Sequence, residues 1–334
     1  MKAYIKDIAY YLPKQVLTNE EIAEQFPEWS AEKVAGKVGI TERHLSAPDE
    51  TATDMAYAAA STLFEQGVAQ RESIDFVLLC TQSPDYKLPS SACLLQARLG
   101  LPKACGAFDF NLGCSGYEYG LAIAKGLVMA GIAKNILLLT AETYTKYLHP
   151  LDKGNKTIFG DGASATLVST DGFAEIGEVV LGTDGEGGEN LIVRTLGARA
   201  CALANDAHED ENGNVVSSDH LYMNGGNVFN FTADVVPPMV EELLAKSGLQ
   251  QDDVDLWVFH QANKYMINYL RKLLSIDKDK FYLFMEKVGN TVSSTVPIAL
   301  CEARKEGRLQ GNILLAGFGV GLSWGGVMLH TSNL

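Results

Sequence analysis

The chain has 334 residues, of which 47% are apolar and 20% are charged. Because folding at this length buries most of the unfolded chain's surface, the composition excludes a disordered or collagen-like protein and allows one or two cores. Lys and Arg number 27 against 41 Asp and Glu, and the net charge of −14 repels the phosphates of nucleic acids and anionic lipids. We therefore expect neither nucleic acid nor membrane as a partner.

No segment has the roughly 18 uninterrupted apolar residues that cross a bilayer, and the N-terminus does not resemble a targeting sequence. The protein is predicted to be cytoplasmic. Its six cysteines are scattered, without a CxxC pair or the spacing of zinc ligands. We expect free thiols and no metal site.

The elements of the first half are repeated in the second half. Residues 63–82 and 243–261 each contain a helix end, a glycine, a short polar turn, an aspartate and an apolar strand. Corresponding residues lie roughly 180 positions apart, which indicates an internal duplication. The pairs are Gly67 and Gly248, Asp75 and Asp255, Gln82 and Gln261, and, farther along, Asn135 and Asn312.

The duplication predicts two α/β halves, residues 1–172 and 173–334. Their strands include FVLLC at 76–80 and LWVF at 256–259, and these strands alternate with helical patterns. Strands that are apolar on both sides are typical of sheets covered by helices on both faces. The acidic, glycine-containing segments 184–190 and 208–220 are interpreted as solvated loops.

Cys114 lies between a predicted strand near Ala107 and a helical pattern that begins at Ser115. A strand-to-helix turn exposes its central side chain, and the N–H groups and dipole at a helix N-terminus favour an anion. We therefore expect the pKa of the Cys114 thiol to lie below its ordinary value of roughly 8.5, as in a nucleophile. A buried cysteine at a tight turn fits the same local pattern.

Two further polar residues join Cys114 through the duplication. Asn290 lies opposite Cys114 in the repeat, and His260 ends an apolar strand. The ends of strands in α/β folds are where ligands bind. A lone histidine there also fits a hydrogen-bonded core residue, but the three residues together favour thiolate attack on a thioester, with donors for a second carbonyl oxygen.

The segment GFGVGLSWGG at 317–326 follows a strand. A dinucleotide fingerprint would need a following helix and an acidic residue roughly 20 positions on, which disfavours a nicotinamide dehydrogenase. We interpret the segment as a tight turn whose backbone N–H groups face a reacting oxygen. A plain turn between the last two strands is the alternative.

Five segments resemble the β-ketoacyl-[acyl carrier protein] synthase III family. They are DFNLGCSGYEYGL, IFGDGASATLV, HQAN, GNTVSSTVP and GFGVGLSWG, in family order and spacing. The resemblance covers nearly the whole chain and implies a thiolase-like, five-layered αβαβα fold with two pseudo-symmetric halves, assembled as a homodimer. It also implies a cofactor-free acyltransferase that condenses acyl-CoA with malonyl-acyl carrier protein in fatty acid biosynthesis.

The resemblance assigns roles to four residues. Cys114 would be the acylated nucleophile, and His260 and Asn290 would assist the decarboxylating condensation. The backbone N–H groups of Cys114 and Val320 would form the oxyanion hole. A catalytically inactive scaffold is disfavoured because all three polar side chains are present.

The acidic carrier protein needs a basic docking surface. Segment 264–280 has five cationic residues against two aspartates. We expect Lys264, Arg271 and Lys272 to dock the carrier, although a merely solvated helix face fits the same pattern.

Several positions depart from the usual priming enzyme. Lys33 and Lys153 stand at coenzyme A positions where the family often has Trp and Arg, with Trp29 nearby, and Leu88 stands where an aromatic residue often limits the acyl pocket. These departures leave the starter open. The alternative function is a paralogous condensing enzyme of a polyketide-like or modified-lipid pathway with a non-acetyl starter.

Overall fold

The computed structural model describes residues 1–210 and 213–331. Within these ranges the strands are β1 (Tyr4–Tyr11), β2 (Gln15–Thr18), β3 (Glu42–Leu45), β4 (Phe76–Cys80), β5 (Gly106–Phe110), β6 (Asn135–Glu142), β7 (Gly162–Ser169), β8 (Ala174–Thr183), β9 (Leu191–Ile192), β10 (His208–Glu209), β11 (Val215–Val216), β12 (Tyr222–Met223), β13 (Leu256–Phe259), β14 (Asn312–Gly319) and β15 (Ser323–Thr331). The α-helices there are α1 (Asn19–Gln25), α2 (Ala31–Val38), α3 (Ala52–Glu65), α4 (Ser91–Arg98), α5 (Gly116–Met129), α6 (Lys153–Lys156), α7 (Gly225–Ser247), α8 (Lys264–Leu273) and α9 (Thr295–Lys305).

The two halves of the main sheet have the same strand order. The first half runs β5-β4-β6-β7-β1 and the second runs β13-β14-β15-β8. In both halves the inner pair is parallel, β4 with β6 and β13 with β14, and the next two pairings are antiparallel. A parallel bridge between Trp257 and Phe281 stands where the first half has β5. The predicted boundary at residue 172 falls between β7 and β8.

Equivalent side chains make equivalent hydrogen bonds in the two halves. The carboxylate of Asp75 accepts from the Asn135 N–H at 3.0 Å, and that of Asp255 accepts from the Asn312 N–H at 2.8 Å. The paired glycines also agree, since Gly67 and Gly248 have φ values of 72° and 67°. Such left-handed backbone conformations favour glycine. The internal duplication inferred from the sequence is confirmed by this geometry.

Three layers of helices alternate with the two halves of the sheet, which makes five layers. Helices α3 and α4 pack on the outer face of the first half, whereas α7 packs on the outer face of the second, with α8 beside it. Helices α5 and α9 contact strands of both halves and form the middle layer. The predicted αβαβα layering is confirmed. The two halves do not form separate sheets. Strand β1 of the first half pairs with β8 of the second through Tyr4 and Ile5, so that the main sheet is continuous over nine strands.

Local sequence signals explain where the main helices begin and end. The Thr51 side chain accepts from the Asp54 N–H at 3.2 Å, and the Asp54 carboxylate accepts from the Thr51 N–H at 2.8 Å. This capping box begins α3. Asn263 likewise accepts from the Met266 N–H at 2.9 Å and begins α8. Gly248 ends α7 in the left-handed conformation. Among the residues that the structure describes, no helix combines the length and hydropathy of a membrane span.

Candidate active site

Cys114 lies in the turn between β5 and α5, as the sequence predicts. The Gly116 N–H donates to the Gly113 carbonyl at 2.8 Å and closes the turn. The Cys114 side chain packs directly against Gly319 of β14, where an added Cβ would lie 2.9 Å from the sulfur. Only a glycine leaves room for that approach. Cys114 remains 7% exposed.

The acidity of Cys114 differs from the prediction. Burial raises the pKa of its thiol to about 12, and the backbone N–H groups of Val320 and of Cys114 itself oppose this rise. The prediction of a lowered pKa is wrong, because loss of solvation outweighs the helix terminus. The side chain is therefore a thiol near neutral pH. The same two N–H groups are those that the resemblance assigns to the oxyanion hole.

His260 directly follows β13, where its N–H donates to the Ala316 carbonyl at 2.7 Å. Its ring stands edge-on to the Phe318 ring, with 5.8 Å between centroids, and its Nδ1 lies 2.7 Å from the Thr295 hydroxyl. Burial lowers the pKa of His260 to about 3, so the imidazole is neutral near pH 7. Within the described part of the chain, Nε2 has no hydrogen-bond partner.

Asn290 is held by both its backbone and its side chain. Its N–H donates to the Ile158 carbonyl at 2.9 Å, and its Oδ1 accepts from the Val292 N–H at 2.9 Å. Val292 has a φ of 57°, which a β-branched residue rarely adopts. With Oδ1 occupied, Nδ2 is the free group of the amide, and no partner for it is found in residues 1–210 and 213–331.

The turns that carry Cys114, Asn290 and Val320 meet at Gly113. A Cβ added to Gly113 would lie 2.4 Å from a methyl carbon of Val320 and 3.2 Å from one of Val292. Because Val292 donates to Asn290, this contact joins the nucleophile's turn to the asparagine's turn. Near the end of β14, two residues before Val320, the ring of Phe318 contacts the ring of His260.

Two polar side chains near Cys114 are not among the predicted site residues. Tyr144 is buried, its hydroxyl donates to Gln82 Oε1 at 3.1 Å, and burial raises its pKa well above the ordinary value. Gln82 Oε1 also lies against Gly113. The sequence predicts only that Gln82 has a counterpart in the repeat. Its position just beyond the end of β4 was a signal for a site residue, because ligands of α/β folds bind at the ends of strands.

Glu118 is a third residue of this kind. It follows Cys114 by four positions on α5, is fully buried, and neither carboxyl oxygen has a partner among the described residues. Burial raises its pKa well above the ordinary value, because an unpaired carboxylate is poorly solvated there and the neutral carboxylic acid is favoured. Its Oε2 fills space beside Gly317, where an added Cβ would lie 2.1 Å away. The sequence signal for such a residue is that Glu118 is the only acidic residue in the first turns of the largely apolar helix α5.

Glu118→Gln is expected to change how stability depends on pH. Because the folded-state pKa is raised, the folded protein holds a proton that the unfolded chain releases above roughly pH 4.5. The wild-type free energy of unfolding therefore falls as pH rises, by up to about 1.4 kcal/mol per pH unit from this group. Glutamine removes that contribution, so the variant gains stability over wild type as pH rises from 5 to 8. Denaturant unfolding across this range measures it, and a slope equal to that of the exposed control Glu65→Gln would contradict it.

A cleft of about 280 Å³ is lined by Trp29, Lys37, Gly154 and Tyr222, among others. The Lys37 ammonium lies 5.4 Å from the centroid of the Trp29 ring. Lys33 does not line this cleft and is exposed on α2. Lys153 forms an ion pair with Glu28.

The predicted peripheral residues differ in their surroundings. The Arg271 guanidinium is half-buried and donates to the Ile276 carbonyl at 2.9 Å just beyond α8, whereas Lys264 and Lys272 are exposed. The docking role of Arg271 stays a prediction. Leu88 is 82% exposed. An exposed side chain cannot form the wall of a buried acyl pocket within its own chain.

Comparison with known proteins gives one consistent result. Residues 108–185 match the family model described as 3-oxoacyl-[acyl-carrier-protein (ACP)] synthase III, and residues 244–331 match the model of its C-terminal part. The chain is 38% identical over 322 residues to a β-ketoacyl-[acyl-carrier-protein] synthase III of Clostridium perfringens, with 96% of each chain covered.

Solved structures agree with the family models. A crystal structure titled 3-oxoacyl-(acyl-carrier-protein) synthase III matches at 51% identity and a TM-score of 0.96, covering 99% of this chain and 100% of the other. The priming β-ketosynthase from the R1128 polyketide biosynthetic pathway matches at 28% identity and a TM-score of 0.84, covering 99% and 97%. The predicted thiolase-like fold is confirmed.

Proposed function

Because the chain belongs to the 3-oxoacyl-[acyl-carrier-protein] synthase III family, we propose that it condenses an acyl-CoA starter with malonyl-acyl carrier protein in fatty acid biosynthesis. The observation that carries this proposal is the site at Cys114. The sulfur lies against Gly319, next to Val320, and the backbone N–H groups of Val320 and Cys114 lower the pKa of the thiol against the larger effect of burial. The neighbouring strand end and turn bear a neutral histidine and an asparagine with a free amide group. No step below needs a cofactor or a metal.

Acylation uses the nucleophile and the backbone donors. The Cys114 sulfur attacks the thioester carbonyl, and the N–H groups of Cys114 and Val320 stabilise the tetrahedral oxyanion, each worth about 10²- to 10³-fold in rate. The bond from carbon to the coenzyme A sulfur then breaks. Coenzyme A leaves as a thiol, with the proton that Cys114 loses.

Condensation uses the two side-chain donors. His260 Nε2 and Asn290 Nδ2 donate to the thioester oxygen of the malonyl group. Cleavage of the bond to the carboxylate releases CO2 and leaves an enolate, whose charge these donors stabilise. The enolate carbon attacks the acyl-cysteine, and the sulfur of Cys114 leaves as a thiolate that takes up a proton from solvent. The product is a β-ketoacyl thioester on the carrier.

The alternative is a priming role in a polyketide-like or modified-lipid pathway. The similarity to the R1128 synthase supports it, but that identity is 28% against 51% for a family structure. A panel of acyl-CoA starters with malonyl-acyl carrier protein tests both functions. We expect a β-ketoacyl carrier two carbons longer than the starter, and the preferred starter identifies the pathway class. Absence of such a product with every starter would overturn both.

The coenzyme A portion is assigned to the cleft at Trp29 and Lys37. An aromatic ring with an ammonium above it suits the stacking and phosphate groups of the nucleotide. Lys33 is exposed on the same helix as Lys37 and adds positive charge near the cleft. Lys153, next to Gly154 of the cleft, pairs with Glu28 and would have to exchange that carboxylate for a phosphate of the coenzyme. The cleft therefore supplies acyl-CoA binding outside the reaction centre.

The functional unit is proposed to be a homodimer. Each chain is proposed to have two halves, residues 1–172 and residues 173–334. Strand β5 is an edge strand on which Phe108 is 38% exposed, and in the segment before α4 Tyr86 and Leu88 are 62% and 82% exposed. Exposed apolar residues at an unpaired sheet edge favour association. Leu88 can contribute to an acyl pocket only by contacting a second copy.

Charge reversal at Lys264 and Lys272 is expected to weaken the carrier-dependent step. The double change Lys264→Glu with Lys272→Glu should raise KM for malonyl-acyl carrier protein by about tenfold or more, because acidic partners depend on such rim charges. Acylation by acyl-CoA should stay unchanged. Steady-state kinetics at low salt measures this, with the exposed pair Lys103→Glu and Lys134→Glu as the matched control. An unchanged KM would remove these lysines from the docking surface.

A further inference from the structure

Thr295 contacts the ring of His260, one of the two proposed side-chain donors. It is the first residue of α9, is 3% exposed, and its hydroxyl lies 2.7 Å from His260 Nδ1 and 3.1 Å from the Val292 carbonyl. No role follows for it from the family motifs discussed above. Its position matters because the two ring nitrogens of a neutral histidine differ in what they can do.

The single hydroxyl hydrogen of Thr295 permits two arrangements. If it points to the Val292 carbonyl, Nδ1 must carry a proton and donate to the hydroxyl, and Nε2 is a bare acceptor. If it points to Nδ1, then Nε2 carries the proton and is a donor. Only the second arrangement lets His260 donate to the malonyl thioester oxygen.

The distances favour the second arrangement. The hydroxyl lies 2.7 Å from Nδ1 and 3.1 Å from the Val292 carbonyl, so Nδ1 is the nearer acceptor. The Val292 carbonyl already accepts from the Thr295 backbone N–H and does not need the hydroxyl hydrogen. Burial of both side chains keeps water from competing for the hydrogen bond.

We propose that the Thr295 hydroxyl donates to His260 Nδ1 and thereby positions the imidazole with a proton on Nε2 for the condensation step. Thr295 is a positioning residue, because it acts through His260 and contacts no reacting atom. The inference rests on the proposed function, since it assigns a task to one of its two steps. Removal of the hydrogen-bond partner of a functional histidine commonly lowers activity by about 10- to 100-fold, as in proteins whose histidines bind metals.

The test compares Thr295→Val with Thr295→Ser in the full-length protein. Valine has nearly the shape of threonine without the hydroxyl, and serine keeps the hydroxyl. We expect kcat for condensation to fall about 10-fold or more in Thr295→Val and to stay within a few-fold of wild type in Thr295→Ser. KM for malonyl-acyl carrier protein and the mass gain of Cys114 with acyl-CoA should be unchanged in both.

The matched control is Thr291→Val. Thr291 is buried in the same turn, and its hydroxyl has no partner among the described residues, so the same chemical change should leave condensation near wild type. An equal loss in Thr291→Val and Thr295→Val would show a general packing effect and overturn the proposal. So would an unchanged kcat in Thr295→Val.

A measurement on the unaltered protein keeps the proposal testable if the variants do not fold. Nitrogen-15 NMR of His260 should show the proton on Nε2 and a hydrogen-bonded, unprotonated Nδ1. A proton on Nδ1 would overturn the role of Thr295. Failure of the proposed function is distinguishable, because in that case the wild-type protein gives no β-ketoacyl product at all.

Discussion

Replacement of Cys114 by serine is expected to abolish the mass gain of the protein on incubation with acyl-CoA. A serine hydroxyl is a far weaker nucleophile than a cysteine sulfur, and no base lies within hydrogen-bond distance of it in the described structure to activate it. The wild-type protein should gain the mass of one acyl group per chain. Intact-protein mass spectrometry measures both proteins directly.

The control for this experiment is Cys201→Ser. Cys201 is an exposed free thiol, so it reports adventitious reaction of a surface cysteine with the thioester. Its variant should acylate like wild type. Acylation that persists in Cys114→Ser and disappears in Cys201→Ser would place the reactive sulfur elsewhere and contradict the assignment of Cys114.

Asn290→Ala is expected to acylate normally and to lose condensation. The change removes the free Nδ2 donor while Cys114 and the backbone N–H groups of the turn at Val320 are untouched. Loss of one such donor costs about 10²- to 10³-fold in rate. The readouts are the mass of the acyl-enzyme and the rate of β-ketoacyl carrier formation, measured on the same preparation.

Asn290→Asp separates the donor from the fold of the turn. Aspartate keeps an oxygen that accepts from the Val292 N–H, yet it lacks the donor and adds a negative charge beside the developing enolate. It should therefore fail at condensation at least as severely as alanine. If Asn290→Ala lost acylation and condensation equally, the division of labour between the two groups of donors would be wrong.

The parts of the fold that repeat could be predicted from the sequence. Asp75 and Asp255 precede strands at matching positions, and matching sequence produced matching hydrogen bonds because the same backbone groups need satisfying in both halves. His260 and Asn290 could be found for the same reason. Strand ends with polar residues are local features, and the duplication relates them to Cys114 before any tertiary contact is known.

The properties that depend on surroundings could not be predicted. The raised pKa of the Cys114 thiol reflects burial by packed neighbours, which no local pattern reports. Helical spacing puts Arg271 on the same face as Lys264, but it does not show that the Arg271 guanidinium also donates to the carbonyl of Ile276 beyond the helix end. Thr295 carries no signal of its own, because its meaning arises only from the distance to a ring that is 35 positions away in the chain.

The central claim is that Cys114 holds the acyl group that becomes the chain end of the product. The direct measurement is a single turnover: acylate the protein with an isotope-labelled acyl-CoA, remove the excess, map the label by peptide mass, and add malonyl-acyl carrier protein. The account predicts label on Cys114 alone, followed by its complete transfer to a β-ketoacyl carrier two carbons longer. Label that stays on Cys114 after malonyl-acyl carrier protein is added, or product that forms without passing through Cys114, would contradict it.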